Sequence, residues 1–228
     1  MNFIVAIDGY VGTGKGTIGK WVAKALGFLY LDTGSMYRAV TLYAMRHGLI
    51  DASDAEKIAM MTDMSLSYRH NNHTDNFDMY LHDENIEKDI RATDIWLNLP
   101  KIVPIQWIRN ILVALQRSLA ETWWVVMDGR DIGTIVFPHA DLKLFLVCDL
   151  ETRVERRYKQ LLEQWHIADT EKIRTEIELR DYTDYLWPNA VNKKADDAIV
   201  IDTTRYTIQE YIDTIVTIVK NKLSASGL

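Results

Sequence analysis

The fold is decided by residues 3–17, which read FIVAIDGYVGTGKGT. Residues 3–7 are all apolar, and a short apolar run of this kind is typical of a strand buried in a parallel sheet. A glycine-rich loop follows directly, and the apolar spacing of residues 15–26 predicts a helix that ends at Gly27. A strand, a glycine loop and a helix in this order predict an α/β fold with a parallel sheet.

The loop GYVGTGKGT has the composition and the position of a phosphate-binding loop. Its glycines have no Cβ, so the backbone N–H groups can point inward and form a concave anion site. The helix that follows adds the positive end of its dipole, and Lys15 can reach the β- and γ-phosphates of a nucleotide. The predicted ATP-binding residues are Gly9, Tyr10, Val11, Gly12, Thr13, Gly14, Lys15, Gly16 and Thr17.

The residue after the loop lysine departs from the usual pattern. Gly16 stands where a hydroxyl residue commonly ligates Mg²⁺, and Thr17 follows one place later, where we expect it to meet the α-phosphate. We therefore expect the Mg²⁺ that accompanies ATP to be held mainly by nucleotide oxygens and water. The sequence indicates no particular protein ligand for the metal.

The rest of the chain continues the alternation of strands and helices. Residues 65–70 and 77–82 instead alternate apolar and polar side chains around a polar linker, which predicts an inserted antiparallel hairpin. The pattern predicts one three-layer α/β/α domain over residues 1–228. Further strands are predicted in the runs FLYL (28–31), WWVVMD (123–128), LKLFLV (142–147) and AIVID (198–202). Helices are predicted at 34–45, 151–184 and 208–223, and in two pieces over 93–121, where Pro100 and Pro104 interrupt the pattern.

Composition and charge exclude several classes of protein. A formal net charge of −6 argues against a general nucleic-acid binder, which is usually basic. The sequence shows no signal peptide and no apolar stretch of about 18 residues, so we expect a cytoplasmic protein without a membrane segment.

Some conspicuous side chains are assigned structural roles. The single cysteine, Cys148, cannot form an internal disulfide and is predicted to be a buried strand residue. Trp123 and Trp124 are predicted to pack in the core. His70, His73 and His82 lie in or beside the polar hairpin, where solvent exposure is expected rather than metal binding.

Two polar clusters follow predicted strands. LDTGSMYR (31–38) and MDGRDIG (127–133) should both lie at the carboxyl edge of the sheet, where doubly wound folds bind ligands. Arg130, between a glycine and an aspartate, is suited to hold a phosphate bidentately. Phosphoryl transfer is catalysed mostly by positioning and charge stabilisation, so arginines near a phosphate loop predict a phosphotransferase.

At this point the chain resembles a known family. GxxGxGKGT, YLDTGSMYRAV, DGRDIGTIVFPHADLKLFL, ERRYKQL and RDYTDY occur in the order and spacing of bacterial cytidylate kinases, which are P-loop nucleoside monophosphate kinases. The resemblance covers essentially the whole chain. It implies a monomer that transfers the γ-phosphate of ATP to CMP or dCMP with Mg²⁺. It also implies a monophosphate-binding insert at about residues 64–92 and a short lid at about residues 154–166.

The resemblance also implies roles for residues that contact the acceptor nucleoside. Thr33 matches a position near the base, and Arg109 and Asp131 match residues that recognise the cytosine edge. Asp184 matches an aspartate that holds the ribose hydroxyls.

The resemblance also implies which cationic residues contact the phosphates. Arg38, Arg130 and Arg180 match arginines on the acceptor phosphate, and Arg157 matches a lid arginine that neutralises the transferring group. Together with Lys15, the implied catalytic set is Lys15, Arg130, Arg157 and Arg180.

Two positions depart from the family pattern. Pro100 stands where the family has a serine that bonds the base, and proline has no donor. Trp187 stands where the family has a further arginine. These departures leave open the preferred monophosphate. Two alternative functions also remain open: a nucleotide-binding sensor of the same fold without kinase activity, and a P-loop kinase of a non-nucleotide metabolite.

Overall fold

The computed structural model describes residues 2–73, 76–163, 168–186, 192–205 and 207–225, with the side chains of residues 185 and 186 excepted. Trp187 and the last part of the predicted lid, residues 164–166, lie outside the described residues. The chain forms two compact units. The first consists of Met1–Leu29 with Trp123–Leu228, and the second is Tyr30–Thr122.

The first unit is a parallel sheet with helices. Its sheet has the strand order β2-β6-β1-β7-β8, and the chain leaves the unit within β2. Ile7 of β1 pairs with Asp128 of β6, and Asp8 pairs with Phe145 of β7, so three strands end side by side. The elements are β1 (Ile4–Gly9), α1 (Lys15–Leu26), β2 (Leu29–Asp32), β6 (Val125–Asp128), β7 (Leu142–Val147), α6 (Leu150–Glu163), α7 (Thr170–Leu186), β8 (Ile199–Asp202) and α8 (Ile208–Ala225).

The second unit combines helices with the predicted antiparallel hairpin. β3 and β4 pair from Leu66 opposite Leu81 to Asn71 opposite Asn76, as their alternating pattern predicts. The predicted insert at residues 64–92 lies wholly within this unit, which has its own apolar core around Met36, Met79 and Ile108. The elements are α2 (Thr33–Arg46), α3 (Asp54–Ala59), β3 (Leu66–Asn71), β4 (Asn76–Leu81), β5 (Glu84–Asn85), α4 (Thr93–Asn98) and α5 (Gln106–Thr122).

The start of α2 differs slightly from the sequence prediction. The helix begins at Thr33 rather than at Gly34, because the side chain of Asp32 accepts a hydrogen bond from the Ser35 amide and caps it.

Two predictions of burial are wrong. Trp123 is 51% exposed, because only Trp124 of the pair turns inward, where its ring packs edge-on against Phe28 at 5.2 Å. Cys148 is half-buried rather than buried, because β7 ends at Val147 and the cysteine follows the strand. His70, His73 and His82 are exposed, as predicted.

None of the helices in the described residues is both long enough and apolar enough to cross a membrane.

Candidate nucleotide and phosphate site

The loop after β1 adopts the conformation that its glycines permit. Gly9, Gly12 and Gly14 have φ angles of 144°, 77° and 87°, all in a region that other residues rarely adopt. A Cβ on Gly9 would lie 2.2 Å from the carbonyl oxygen of Leu146. Glycine is therefore required at position 9 by space as well as by dihedral angle.

Lys15 lies under this loop at the start of α1. Its Nζ donates to the carbonyl oxygens of Gly9 at 2.8 Å and Tyr10 at 2.7 Å, and the side chain is buried. Burial lowers the pKa of Lys15 to about 7, with the charge of Arg130 as the second cause, against the opposing charges of Asp128, Asp8 and Asp184. The arrangement favours a polyanion, because phosphate oxygens would restore the charge that burial and the neighbouring arginine disfavour.

A buried carboxylate connects two of the predicted catalytic arginines. Asp184 of α7 has no exposed surface, and it accepts hydrogen bonds from Nε of Arg130 at 2.8 Å and Nε of Arg180 at 3.1 Å. Both arginines are part of the predicted acceptor-phosphate set. The structure thus brings Lys15, Arg130, Arg180 and Asp184 into one cluster within the first unit.

Asp131 lies directly after Arg130 and is buried. It precedes a π-helical turn, Ile132–Val136, whose first amides are bonded by the side chain of Asp8 at 2.8 and 2.7 Å. Sequence analysis did not assign a role to Asp8. Its position one residue before the first loop glycine could have marked it as a candidate. The residues whose amides it bonds lie 124 and 125 positions away in the sequence, so no local pattern indicates this role.

Arg153 of α6 is a second residue that sequence analysis missed. Its Nη1 donates to the Val11 carbonyl at 3.2 Å and to Asp181 at 2.6 Å. A Cβ on Gly12 would lie 3.2 Å from Cβ of Arg153, so this helix lies directly against the phosphate loop.

The predicted lid arginine, Arg157, lies one helical turn further along α6. Its Nη1 donates to Gln160 at 2.9 Å, and burial lowers the pKa of its guanidinium. Its neighbour Arg156 donates instead to the hydroxyl of Thr203 at 3.2 Å, and that hydroxyl donates to the Thr13 carbonyl at 3.0 Å. α6 is therefore connected to the phosphate loop through Arg153 and Arg156.

In the second unit, Arg38 is held by Asp32. The ion pair measures 2.6 Å, and Arg91 lies 3.6 Å from the same carboxylate oxygen. Burial opposes ionisation of Asp32, but the charges of Arg38 and Arg91 outweigh it and hold its pKa below the ordinary value. Nε of Arg38 is buried and has no hydrogen-bond partner among the described residues.

Tyr68 of β3 connects the hairpin to this cluster. Its hydroxyl donates to the Asp32 carbonyl at 2.8 Å and lies 2.7 Å from the hydroxyl of Ser35. Burial, with the charge of Asp32, raises the pKa of Tyr68 well above its usual range, so the hydroxyl stays protonated. The hairpin is thereby fastened to the first turn of α2.

Two further residues of the predicted acceptor site belong to the second unit. Thr33 and Arg109 are buried, and the guanidinium carbon of Arg109 lies 5.9 Å from the centre of the Tyr37 ring. Pro100 is exposed within a 3₁₀ turn, Leu99–Lys101. Of the predicted acceptor set, Thr33, Arg38 and Arg109 belong to the second unit, and Arg130, Asp131, Arg180 and Asp184 belong to the first.

Comparison with known proteins identifies the family. The sequence profile described as "Cytidylate kinase" matches residues 5–221. The chain belongs to the cytidylate kinase family. The proteins named cytidylate kinase from Cytophaga hutchinsonii and Acholeplasma laidlawii are 40% and 39% identical to it, over 97% and 100% of this chain and 95% and 98% of their own lengths.

A solved structure shares the fold of this cytidylate kinase family member. An uncharacterised protein from Eubacterium ventriosum superposes with a TM-score of 0.53 at 14% sequence identity, covering 97% of this chain and 99% of its own. At that identity the likeness supports the α/β fold alone. The chain is thus a nucleoside monophosphate kinase by family, with the phosphate loop and parallel sheet that its sequence predicts.

No group of three or more metal-ligating side chains occurs among the described residues of this kinase. Thr17 is exposed in the first turn of α1, and Asp128 is buried at the end of β6, near Lys15. These isolated oxygen groups fit a Mg²⁺ ion that keeps several waters and is bound chiefly through a nucleotide, and they do not form a protein cage.

Proposed function

We propose that this protein transfers the γ-phosphate of ATP to CMP or dCMP. The observation that carries the proposal is the cluster of Lys15, Arg130 and Arg180 around Asp184 in the unit that contains the phosphate loop. Cations held this close to one another favour an anionic ligand. The two phosphate groups of a phosphoryl donor and acceptor satisfy that requirement. Membership of the cytidylate kinase family supports the choice of a cytidine monophosphate as acceptor.

The donor site consists of the loop from Gly9 to Thr17. Backbone N–H groups of the glycines and the start of α1 bind the β- and γ-phosphates, and Lys15 supplies the point charge between them. Thr17 meets the α-phosphate. Mg²⁺ held through nucleotide oxygens and water would supply charge neutralisation between the phosphates.

The acceptor phosphate is assigned to Arg38, Arg130 and Arg180. Arg130 and Arg180 are oriented by Asp184, and Arg38 is oriented by Asp32. Arg157 of the lid neutralises the transferring group. These guanidiniums hold two anions near each other and stabilise the charge that spreads over the transferred phosphoryl group.

The nucleoside is recognised by Thr33, Arg109 and Asp131, with the ribose hydroxyls assigned to Asp184. Asp184 has no exposed surface and both of its oxygens accept from arginines, so a ribose contact requires one of the side chains that cover it to move. Pro100 offers no donor to the base, which leaves Arg109 and Asp131 as the main discriminating groups.

An acceptor panel tests the proposal. Release of ADP from ATP and Mg²⁺ is measured with CMP, dCMP, UMP, AMP and GMP in turn, and the product is identified by chromatography. We expect CMP and dCMP to give the highest kcat/KM. If no monophosphate stimulates ADP release, the kinase proposal is wrong, and if another base is preferred, the assignment of the acceptor is wrong.

The oligomeric state is tested on the same protein sample. We propose that the enzyme acts as a monomer, so sedimentation velocity should give a mass near 26.4 kDa at assay concentrations. A stable dimer would overturn this part of the proposal alone.

A further inference from the structure

Asp8 occupies an unusual position for a carboxylate. It lies at the end of β1, one residue before the first loop glycine, and it is 4% exposed. Its Oδ1 accepts the amide of Ile132 at 2.8 Å, and its Oδ2 accepts the amide of Gly133 at 2.7 Å. Each oxygen therefore has its own backbone donor.

These two amides begin the π-helical turn Ile132–Val136. The first N–H groups of a helical segment have no partner within it, and the residue just before the segment commonly supplies the cap. Asp131 holds that place but makes no side-chain cap hydrogen bond. The capping oxygens come from Asp8 on another element.

The segment is also fixed on its other side. The amide of Gly129 donates to the carbonyl of Ile7 at 3.0 Å. Ile7 thus bonds the residue that precedes Arg130 and Asp131. Asp8, the next residue of β1, bonds the two residues that follow them. Only two residues lie between the bonded amides of Gly129 and Ile132, so these bonds leave the backbone of Arg130 and Asp131 little freedom.

Close packing at Gly133 supports this arrangement. A Cβ there would lie 3.3 Å from Oδ2 of Asp8 and 3.1 Å from Cδ of Lys143. The backbone approaches Asp8 so closely that a side chain at position 133 would force its neighbours to move.

We propose that Asp8 is a positioning residue for the acceptor site: by bonding the amides of Ile132 and Gly133, it fixes Arg130 and Asp131 against the phosphate loop. The inference rests on the proposed function, which assigns Arg130 to the acceptor phosphate and Asp131 to the base. Asp8 itself touches neither nucleotide.

The charges around Asp8 give the arrangement a pH dependence. Burial raises the pKa of Asp8 to about 6, and the charge of Asp131 acts in the same direction, whereas the two amides and Lys15 of α1 oppose the rise. Lys143 of β7 also lies against Gly133, but its Nζ donates to the Pro138 carbonyl and to Asp197. Protonation of Asp8 turns one accepting oxygen into a hydroxyl, so the cap weakens as the pH falls through about 6.

The test compares Asp8→Asn with Asp141→Asn in the full-length enzyme. Asp141 is a matched control, because its Oδ2 accepts the amide of Ile4 at 2.8 Å, toward the opposite end of β1. In Asp8→Asn the new side-chain NH₂ group is a donor, and it faces a backbone N–H donor where the wild type has an accepting oxygen. We expect the KM for CMP to rise about ten- to a hundred-fold, whereas ATP affinity, measured by titration, should fall by a much smaller factor, because Asp8 contributes only one of the charges around Lys15.

The pH profile separates positioning from a general structural role. In the wild type the KM for CMP should rise as the pH falls below about 6. Because the phosphate of CMP itself titrates at about pH 6, a smaller rise should remain in Asp8→Asn, whereas Asp141→Asn should keep the full rise of the wild type. An unchanged KM for CMP in Asp8→Asn, or a parallel loss of ATP affinity, overturns the inference.

Hydrogen exchange keeps the inference testable apart from activity. Asp8→Asn should accelerate amide exchange in residues 129–137 and leave α1 unchanged. If the wild type phosphorylates no monophosphate, the proposed function fails, and this exchange result still decides whether Asp8 holds the segment. Unaltered exchange in residues 129–137 contradicts the inference on its own.

Discussion

Arg130 donates a hydrogen bond from Nε to Oδ2 of Asp184 at 2.8 Å, although 54 residues separate them in the sequence. The other oxygen of Asp184 accepts from Nε of Arg180 at 3.1 Å. One buried carboxylate therefore fixes the orientation of two guanidiniums. Both arginines belong to the proposed acceptor-phosphate site, so their geometry depends on a group that carries the opposite charge.

Replacing Asp184 with asparagine should damage both stability and acceptor binding. The substitution leaves two arginines with a neutral partner, and breaking a buried ion pair costs about 3–5 kcal/mol. Urea unfolding should show this loss, and the KM for CMP should rise more than the KM for ATP. Glu151→Gln is the matched control, because Glu151 pairs with Arg174 at an exposed site and should contribute little. Equal unfolding curves for the wild type and Asp184→Asn would contradict the account.

ATP binding should be accompanied by proton uptake at Lys15. The pKa of this group is lowered to about 7 in the free protein, so at pH 8 it is mostly neutral. Phosphate oxygens favour the charged form, so bound MgATP raises the pKa and Lys15 takes up a proton. Calorimetry in buffers of different ionisation enthalpy measures the uptake. Lys15→Arg, whose guanidinium is always charged, should show less uptake. Equal uptake by the two proteins would exclude Lys15 as the group.

Two glycines with positive φ, Gly9 of the loop and Gly27 after α1, should differ in their tolerance of alanine. Gly9→Ala should prevent folding of the loop and abolish ATP binding, because the added Cβ meets the Leu146 carbonyl at 2.2 Å. Gly27→Ala is the control, since Gly27 also has a positive φ, of 71°, but no atom lies within 4 Å of its added Cβ. It should cost only about 1–2 kcal/mol. Thermal unfolding and ATP titration check both variants, and comparable losses in the two would show that close packing is not the cause.

Asp32 should make the stability of the protein sensitive to acid. The charges of Arg38 and Arg91 hold its pKa below the ordinary value of 3.8, so the folded state favours the ionised form. The resulting stabilisation is fully present above 3.8 and is lost as the pH falls from there through the lower pKa of the folded state. Asp32→Asn should therefore destabilise the protein at pH 7 and flatten the acid limb of its stability profile. Tyr68→Phe, which removes a neutral partner of Asp32, should leave the shape of that limb unchanged. An acid limb in Asp32→Asn identical to the wild type would refute this.

Local sequence patterns were sufficient to predict several helices and strands and the glycine loop. α1 occupies Lys15–Leu26 and β7 occupies Leu142–Val147, as their apolar spacing indicates. The glycine loop was also predictable, because its dihedral angles follow from its own residues. The order of strands and helices was sufficient to predict the parallel sheet.

Contacts between distant segments could not be read from the sequence. The cap that Asp8 provides depends on the register that places Ile7 opposite Asp128, which no local pattern specifies. The contact of Arg153 with the phosphate loop depends in the same way on where α6 packs. The error at Trp123 is of another kind, since both tryptophans precede β6 and only Trp124 packs against Phe28.

Replacing Lys15 with methionine removes the cation of the phosphate loop, and CDP formation from ATP and CMP measures the consequence by ³¹P NMR. Methionine fills similar space without the charge or the donors that Lys15 places beneath the loop. Our expectation is a protein that folds normally, binds ATP weakly and forms CDP at least about a hundred-fold more slowly. Wild-type ATP affinity and wild-type turnover in this variant would contradict it.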